Sequence, residues 1–451
     1  MQPFVIIYVL NTKYGKYYLR EKIQGESMEN IKNIEIKKGI NLHIIKTNKF
    51  KTNLLAVFLS TPLEKENVTK NALIPAVLRR GSKNMPTQEQ ISIALEEMYG
   101  ATFDCGIDKI GDDQVLKFYL ETINNEFLPE NEDNLSEAIK ILLEVIFNPV
   151  LDNNEFNKEY VESEIKNLKQ VIEGRKDSKA TYAYERCIEE MYKNMPYSLY
   201  KYGNIEDLEN IVSKNLYEQY TNLINNCKID IFVSGNIEED VKEKIINNEN
   251  IQKLNEREAV YIINNKESRK KEQKQEQEIS ESMDINQGKL IIGLDILEEN
   301  DLDKYTALIY NAILGGIPTS KMFQNVREKN SLAYTASSSF VRQKANVYIK
   351  CGIDIENYEK ALKIIKEQLE DMRKGEFTDK NIEEAKINII STINFIPEEQ
   401  DTELMYYFSQ ELSGYEMSSE EYINKINSIT KDNIIDLANR IQINTIYFLK
   451  N

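Results

Sequence analysis

The chain has 451 residues, 41% of them hydrophobic, so it can bury a large core and divide into about two to four domains. A formal net charge of −17 and a pI near 4.9 exclude the basic footprint that nucleic acid or an anionic membrane surface requires. The four cysteines, Cys105, Cys187, Cys227 and Cys351, are too scattered for a disulfide framework or a thiolate metal site, and read as reduced core thiols.

Phe4 to Leu10 is a short apolar run, too brief to span a membrane and without the basic start and small-residue cleavage site of a signal peptide. The expectation is a cytoplasmic protein with no membrane insertion, in which residues 1–27 form an N-terminal extension. Residues 34–46 pattern as a hairpin, 54–60 as a buried strand and 68–78 as a helix. Gly81, Ser82 and Pro86 break the chain before a second amphipathic helix, where Ile91, Ala94, Leu95 and Met98 share one face and Gly100 is the stop. Strands near 102–107 and 114–121 flank a turn of Gly111, Asp112 and Asp113. Helices over 135–147, 157–173 and 182–192, two further helices and a strand at 229–234 complete a first unit.

That unit is repeated. Ala72, Leu73, Ile74 and Gly81 recur as Ala307, Leu308, Ile309 and Gly316, and the helical set Leu135, Ala138, Ile139, Leu142 and Ile146 as Tyr358, Ala361, Leu362, Ile365 and Leu369. Phe156 corresponds to Phe377, and the segment from Ile211 to that from Ile429. Any two amphipathic helices share a spacing, but several matches in one order, at offsets from 218 (211 to 429) to 235 (72 to 307), indicate duplication. Residues 265–282 are almost purely polar and fit an exposed connector or a polar surface helix. The predicted architecture is α+β: a first half over 28–240, a charged linker region over 241–285 and a second half over 286–451. Each half is an antiparallel-rich β-sheet with helices packed on one face.

The stretch from Ala312 to Tyr334 reads AILGGIPTSKMFQNVREKNSLAY. Gly315 and Gly316 precede a helix beginning near Thr319 or Ser320, with Met322, Phe323 and Val326 at helical spacing. Arg327, a permanent cation, and Tyr334, a hydroxyl seven residues on, could together grip and polarise a carbonyl. On spacing alone the more ordinary reading is an exposed helix arginine and a strand tyrosine. The order G-G-x-x-x-S-x-x-F-x-x-V-R-E-K-x-x-L-A-Y resembles the second-half signature of the insulinase and pitrilysin zinc peptidases, which include the mitochondrial processing peptidase.

The resemblance implies a clam-shell arrangement of the halves and places Arg327 and Tyr334 in the catalytic chamber. It also makes Gly315 and Gly316 a loop that lets backbone approach a peptide, and the edge with Thr102, Phe103 and Cys105 a place for strand addition. Active members carry H-x-x-E-H in the first half. Counting back from the run Arg79, Arg80, Gly81 and Ser82 puts the two histidines at Ala72 and Ala76 and the general base at Pro75, so every functional group of that motif is missing. A proline there also suits a helix with no coordination geometry to keep.

His43 is the sole histidine and lies in a predicted strand, in a surface or half-buried role. Glu164 matches the family's distant glutamate ligand but reads as part of a solvated helix face. The chain is expected to hold no metal. The resemblance therefore implies a zinc-lacking subunit that pairs with a zinc-bearing homologue to cut an unstructured polypeptide, with Arg327 and Tyr334 assisting at the partner's zinc site. The alternative is an inactive scaffold that binds a peptide or protein. A peptidase acting alone by other chemistry lacks any nucleophile or phosphate-loop motif.

Overall fold

The computed structural model describes residues 31–130, 132–258, 271, 273–414 and 417–451. The expected extension over 1–27 lies outside the described residues. The first half contains β1 (Ile31–Lys37), β2 (Ile40–Lys46), β3 (Thr52–Pro62), β4 (Thr102–Ile110), β5 (Asp113–Ile123), the short pair β6 (Leu151–Asp152) and β7 (Glu155–Phe156), and β8 (Lys228–Gly235). Six of these strands form one sheet in the order β1-β2-β8-β3-β5-β4. The long apolar run of β3 puts it in the sheet interior, buried on both faces along most of its length.

Helices α1 (Val68–Leu78), α2 (Gln88–Glu97), α3 (Asn134–Phe147), α4 (Lys158–Glu173) and α5 (Lys179–Met191) follow the sequence periodicity closely. Thr87 caps α2 in a reciprocal box with Gln90, and Asn157 caps α4 through the Tyr160 amide. Packed against the sheet, α1, α3 and α4 bury Leu73, Val77, Leu142, Val145 and Val161 on the same side as Val57 and Phe118.

In the second half, β9 (Gln277–Ser282), β10 (Gly288–Ile296), β11 (Ala333–Val341), β12 (Asn346–Ile353) and β13 (Ile441–Lys450) form a sheet in the order β11-β12-β10-β13-β9. Read from its other end, this is β9-β13-β10-β12-β11, and it repeats β2-β8-β3-β5-β4 strand for strand. The single parallel pair falls at the same place, β2 with β8 and β9 with β13. The two halves are thus copies of one topology, as the repeated spacings predict.

Each sheet also has a second apolar face, and that face is closed by a helix from the other half. Tyr182, Ala183, Cys187, Ile188 and Met191 of α5 pack on Ile291, Tyr348, Tyr447 and Leu449 of the second sheet. Gly293 makes room there, because a Cβ would stand 2.7 Å from the Met191 sulfur. In return, Leu404, Phe408 and Leu412 of the helix Gln400–Ser413 pack on Ala56, Phe58 and Phe232 of the first sheet, with the Phe58 and Phe408 rings stacked at 3.9 Å.

Where the halves meet, the β4–β5 turn touches the β11–β12 turn. Lys344, 1% exposed, donates to Asp112 across this seam at 2.8 Å and lies over the rings of Tyr192 and Tyr197.

Two expectations need correction. Residues 277–282, assigned to a polar connector or surface helix, are the edge strand β9; Ile279 faces inward while Glu278, Ser280 and Ser282 are exposed, an alternation suited to a sheet edge. Val241 and Ile251, placed in the linker region, are buried in the first core on the short helices Val241–Ile246 and Glu249–Gln252.

Replacing Lys344 by Ala is expected to destabilise the protein by about 3–5 kcal/mol, because it strands the buried Asp112 carboxylate. Lys344→Met combined with Asp112→Asn should recover most of that loss in urea-unfolding midpoints. A loss below about 1 kcal/mol in the single variant would mean that water reaches the carboxylate.

Candidate functional site

The candidate residues fall into two groups, one on each sheet. In the first half, Ala72, Pro75 and Ala76 all lie on α1, where Ala72 and Pro75 are buried against the core and Ala76 is half-buried. Their side chains hold no nitrogen, oxygen or sulfur, so the three positions offer a metal no ligand atom and the zinc of the resembled family does not fit here. Thr102, Phe103 and Cys105 follow on β4, the edge strand beside α1. The Cys105 thiol donates to the Pro75 carbonyl at 3.3 Å, and burial pushes its pKa up to about 12, so it is a packing group rather than a nucleophile.

Glu164 is not on a solvated face, as expected from its charged helix; it is 7% exposed. Arg80 Nε donates to Glu164 Oε1 at 2.5 Å, and Asn167 Nδ2 donates to Oε2 at 3.0 Å. Both oxygens are engaged, and the cation that balances this carboxylate is a guanidinium. The spacing of Arg80, two residues past the end of α1, was visible in the sequence; its pairing across to α4 was not.

His43 is likewise buried rather than half-exposed, at 2%. It stacks on Phe232 and lies 2.8 Å from Asn33 Oδ1 and 3.2 Å from Asp230 Oδ1. Among the described residues, His43, Asp230 and Glu411 bring possible ligand atoms within 4.8 Å of one another. The Lys228 ammonium pairs with both Asp230 and Glu411, which supplies the positive charge that a metal would otherwise bring.

In the second half, the helix Asp303–Asn311 runs into a wider, π-type turn at Ala312–Gly316, and a second such turn covers Met322–Lys329. Both pack against β11. Gly315 is buried where a Cβ would come within 2.6 Å of the Ser338 amide, and Gly316 is exposed where a Cβ would meet the Asn311 side chain at 2.8 Å. Neither has a positive φ. Their small size therefore serves close packing of the turn on the strand.

Met322 and Val326 are buried, as their spacing predicts, which leaves Arg327 on the outer side with its guanidinium 4.7 Å from the Phe323 ring centre. Ser331 then turns the chain in the left-handed region, at φ 51°, and the Leu332 amide ties back to the Val326 carbonyl at 3.1 Å.

Tyr334 is the extra residue of a β-bulge. The ladder pairs Ala333 with Ile353 and Thr335 with Gly352, and skips Tyr334 between them. The bulge lifts the ring out of the pleat to 63% exposure, and the Thr335 hydroxyl accepts from the Gly352 amide at 3.1 Å. Arg327 on the second turn and Tyr334 at the start of β11 are thus both displayed to solvent, while the glycines, the two turns and β11 form one packed unit.

Comparison with known proteins fits this picture. The model of the peptidase M16 inactive domain matches residues 210–389. The probable inactive metalloprotease YmfF of Bacillus subtilis is 35% identical over 416 residues, covering 91% of this chain and 96% of that protein. The chain belongs to the M16 peptidase family. Among solved structures, a conserved protein from Enterococcus faecalis superposes with a TM-score of 0.85 at 29% identity, over 94% of this chain and 99% of that one. The M16 inactive domain from Pseudomonas fluorescens superposes at 0.73 with 16% identity, over 93% and 98%. The fold is the M16 clam-shell type, and the chain is an inactive-type member of that family. Among the described residues no helix is long and apolar enough to cross a membrane.

Arg80→Ala should leave Glu164 buried without its cation and cost about 2 kcal/mol in chemical denaturation, with Glu164→Gln in the same background restoring most of it. An unchanged midpoint in Arg80→Ala would show that the ion pair is not what holds α4 to the end of α1.

Proposed function

We propose that this chain is the non-catalytic subunit of a heterodimeric M16 peptidase, paired with a homologue that carries the zinc motif. One observation carries the reading: the first half offers no ligand at its motif positions, yet the second half presents Arg327 and, on a bulge, Tyr334. A tyrosine lifted to 63% exposure has no packing reason to be there. A fixed guanidinium and a phenol are suited to hold a peptide carbonyl and to donate to its oxygen as negative charge develops. The metal chemistry would belong entirely to the partner, and the substrate would be an unstructured or extended polypeptide. Beside the degenerate motif, β4 is an open sheet edge that could take such a polypeptide as an added strand; at Gly106 an added Cβ would meet nothing within 4 Å.

The test is cleavage of an unstructured peptide by this chain, by a zinc-motif M16 homologue from the same genome, and by the two mixed. Activity is expected in the mixture alone and should be lost on chelation. Arg327→Ala and Tyr334→Phe should each lower kcat by about 10²–10³ while the two chains still co-elute. If the homologue cuts equally well without this chain, or both variants keep full activity, the assisting role is wrong. Peptide binding without cleavage would then make the chain an inactive binding scaffold.

A further inference from the structure

On the second sheet, Lys350 is a cation that no carboxylate among the described residues pairs with. Lys350 on β12 is half-buried, and its ammonium sits 3.7 Å from the centre of the Tyr184 ring. Tyr184 belongs to α5, the helix contributed by the first half, and its ring stands edge-on to Tyr348. Other strongly buried lysines of this molecule have partners: Lys344 has Asp112, Lys271 has Asp295, and Lys228 has Asp230 and Glu411. Lys109 donates to the carbonyls of Tyr197 and Leu199. Among the described residues no carboxylate pairs with Lys350. Burial pulls its pKa down to about 8, the Cys187 thiol opposing weakly, and an aromatic face offsets only part of the lost hydration.

The neighbouring side chains on this face are also short of partners. In the ladder, Ser337 lies opposite Lys350 and Ser339 opposite Tyr348. With a period of two, Ser337 and Ser339 point to the same side of β11. The Ser339 hydroxyl is buried with no hydrogen-bond partner, whereas Ser337 is exposed. An ammonium and an orphaned hydroxyl thus share one sheet face, the hydroxyl on the edge strand β11 and the ammonium one strand in, on β12. On β11 the residue directly opposite Lys350 is the short side chain of Ser337. A residue opposite Ser337 in a chain laid along β11 would lie two strand spacings from Lys350, about 9.6 Å, which a lysine stem and a glutamate stem together span.

We infer that Lys350, with Ser337 and Ser339, forms a subsite for a carboxylate side chain of an extended polypeptide laid against β11. The inference rests on the reading that this chain holds a polypeptide, and it adds the charge of one substrate position. A carboxylate there gives the ammonium its missing counter-ion and the Ser339 hydroxyl an acceptor, in a charge-assisted hydrogen bond shielded from water by Tyr184. The protein's overall charge of −17 would by itself repel acidic peptides, so a local preference for one stands out against that background.

The experiment uses the full chain and fluorescent unstructured peptides that differ only in one central residue, Glu, Ala or Lys, with affinity read by anisotropy. The Glu peptide is expected to bind about tenfold more tightly than the Ala peptide. Lys350→Met should erase that difference while the Ala peptide binds as before, and Lys350→Glu should turn the preference to the Lys peptide. Ser339→Ala, which leaves the cation in place, should weaken the Glu peptide alone, by about threefold. Protection of Lys350 from acylation by the Glu peptide, and not by the Ala peptide, would locate the contact. Equal affinities for Glu and Ala peptides, or a preference that survives Lys350→Met, overturn the subsite while leaving polypeptide binding intact. Failure of all three peptides to bind removes both readings together.

Discussion

Each sheet of this molecule has one face that its own half leaves bare, and the structure depends on the two halves covering that face for each other. Phe58 and Phe232 on one side, and Tyr348 and Tyr447 on the other, are large apolar surfaces that are costly to leave in water. The exchange of α5 for the helix Gln400–Ser413 closes both at once. Where the halves touch at their hairpin turns, the pair of Lys344 with Asp112 acts mainly on alignment. Its attraction is largely offset by the desolvation of two charges, but any other register of the turns would bury both of them alone.

This interlock positions the functional groups. The two candidate groups sit on different sheets, so their relation is set by how the halves lock rather than by any local motif. Within the first half, the positions that would bear metal ligands have become ordinary packing, and the remaining acidic residue has been given to Arg80. Within the second half, the opposite has happened. Two wide turns, a left-handed Ser331 and a bulge are all irregularities with a cost, and they converge on the display of Arg327 and Tyr334. The first half has thus lost its ligand atoms, while the second keeps an irregular backbone around two exposed polar side chains.

Much of this could be read from the residues. The boundaries of α1 follow from an apolar run between Asn67 and Arg79, and the duplication emerges as one strand order used twice because repeated apolar spacings mark repeated packing. What could not be read depends on residues far apart in the chain. Glu164 looks solvated on its own helix because the arginine that buries it comes from the end of another. A polar run such as QEISES carries a single apolar residue, too little to show a period, and becomes a strand because β13 offers it a parallel edge. The bulge at Tyr334 is a property of the ladder with β12, and Lys350 is ordinary in sequence until its place against the Tyr184 ring, with no carboxylate partner among the described residues, makes it conspicuous.

The exchanged helices also impose an order on biosynthesis. As the chain leaves the ribosome, the first sheet can assemble once β8 has emerged, yet the face bearing Phe58 and Phe232 stays wet until the helix Gln400–Ser413 has been made. During that interval α5 likewise has no sheet to sit on. The nascent first half therefore carries two sticky surfaces through most of the synthesis of the second. That is a long window for self-association, in which a chaperone able to shield aromatic β-surface would raise the yield of folded protein.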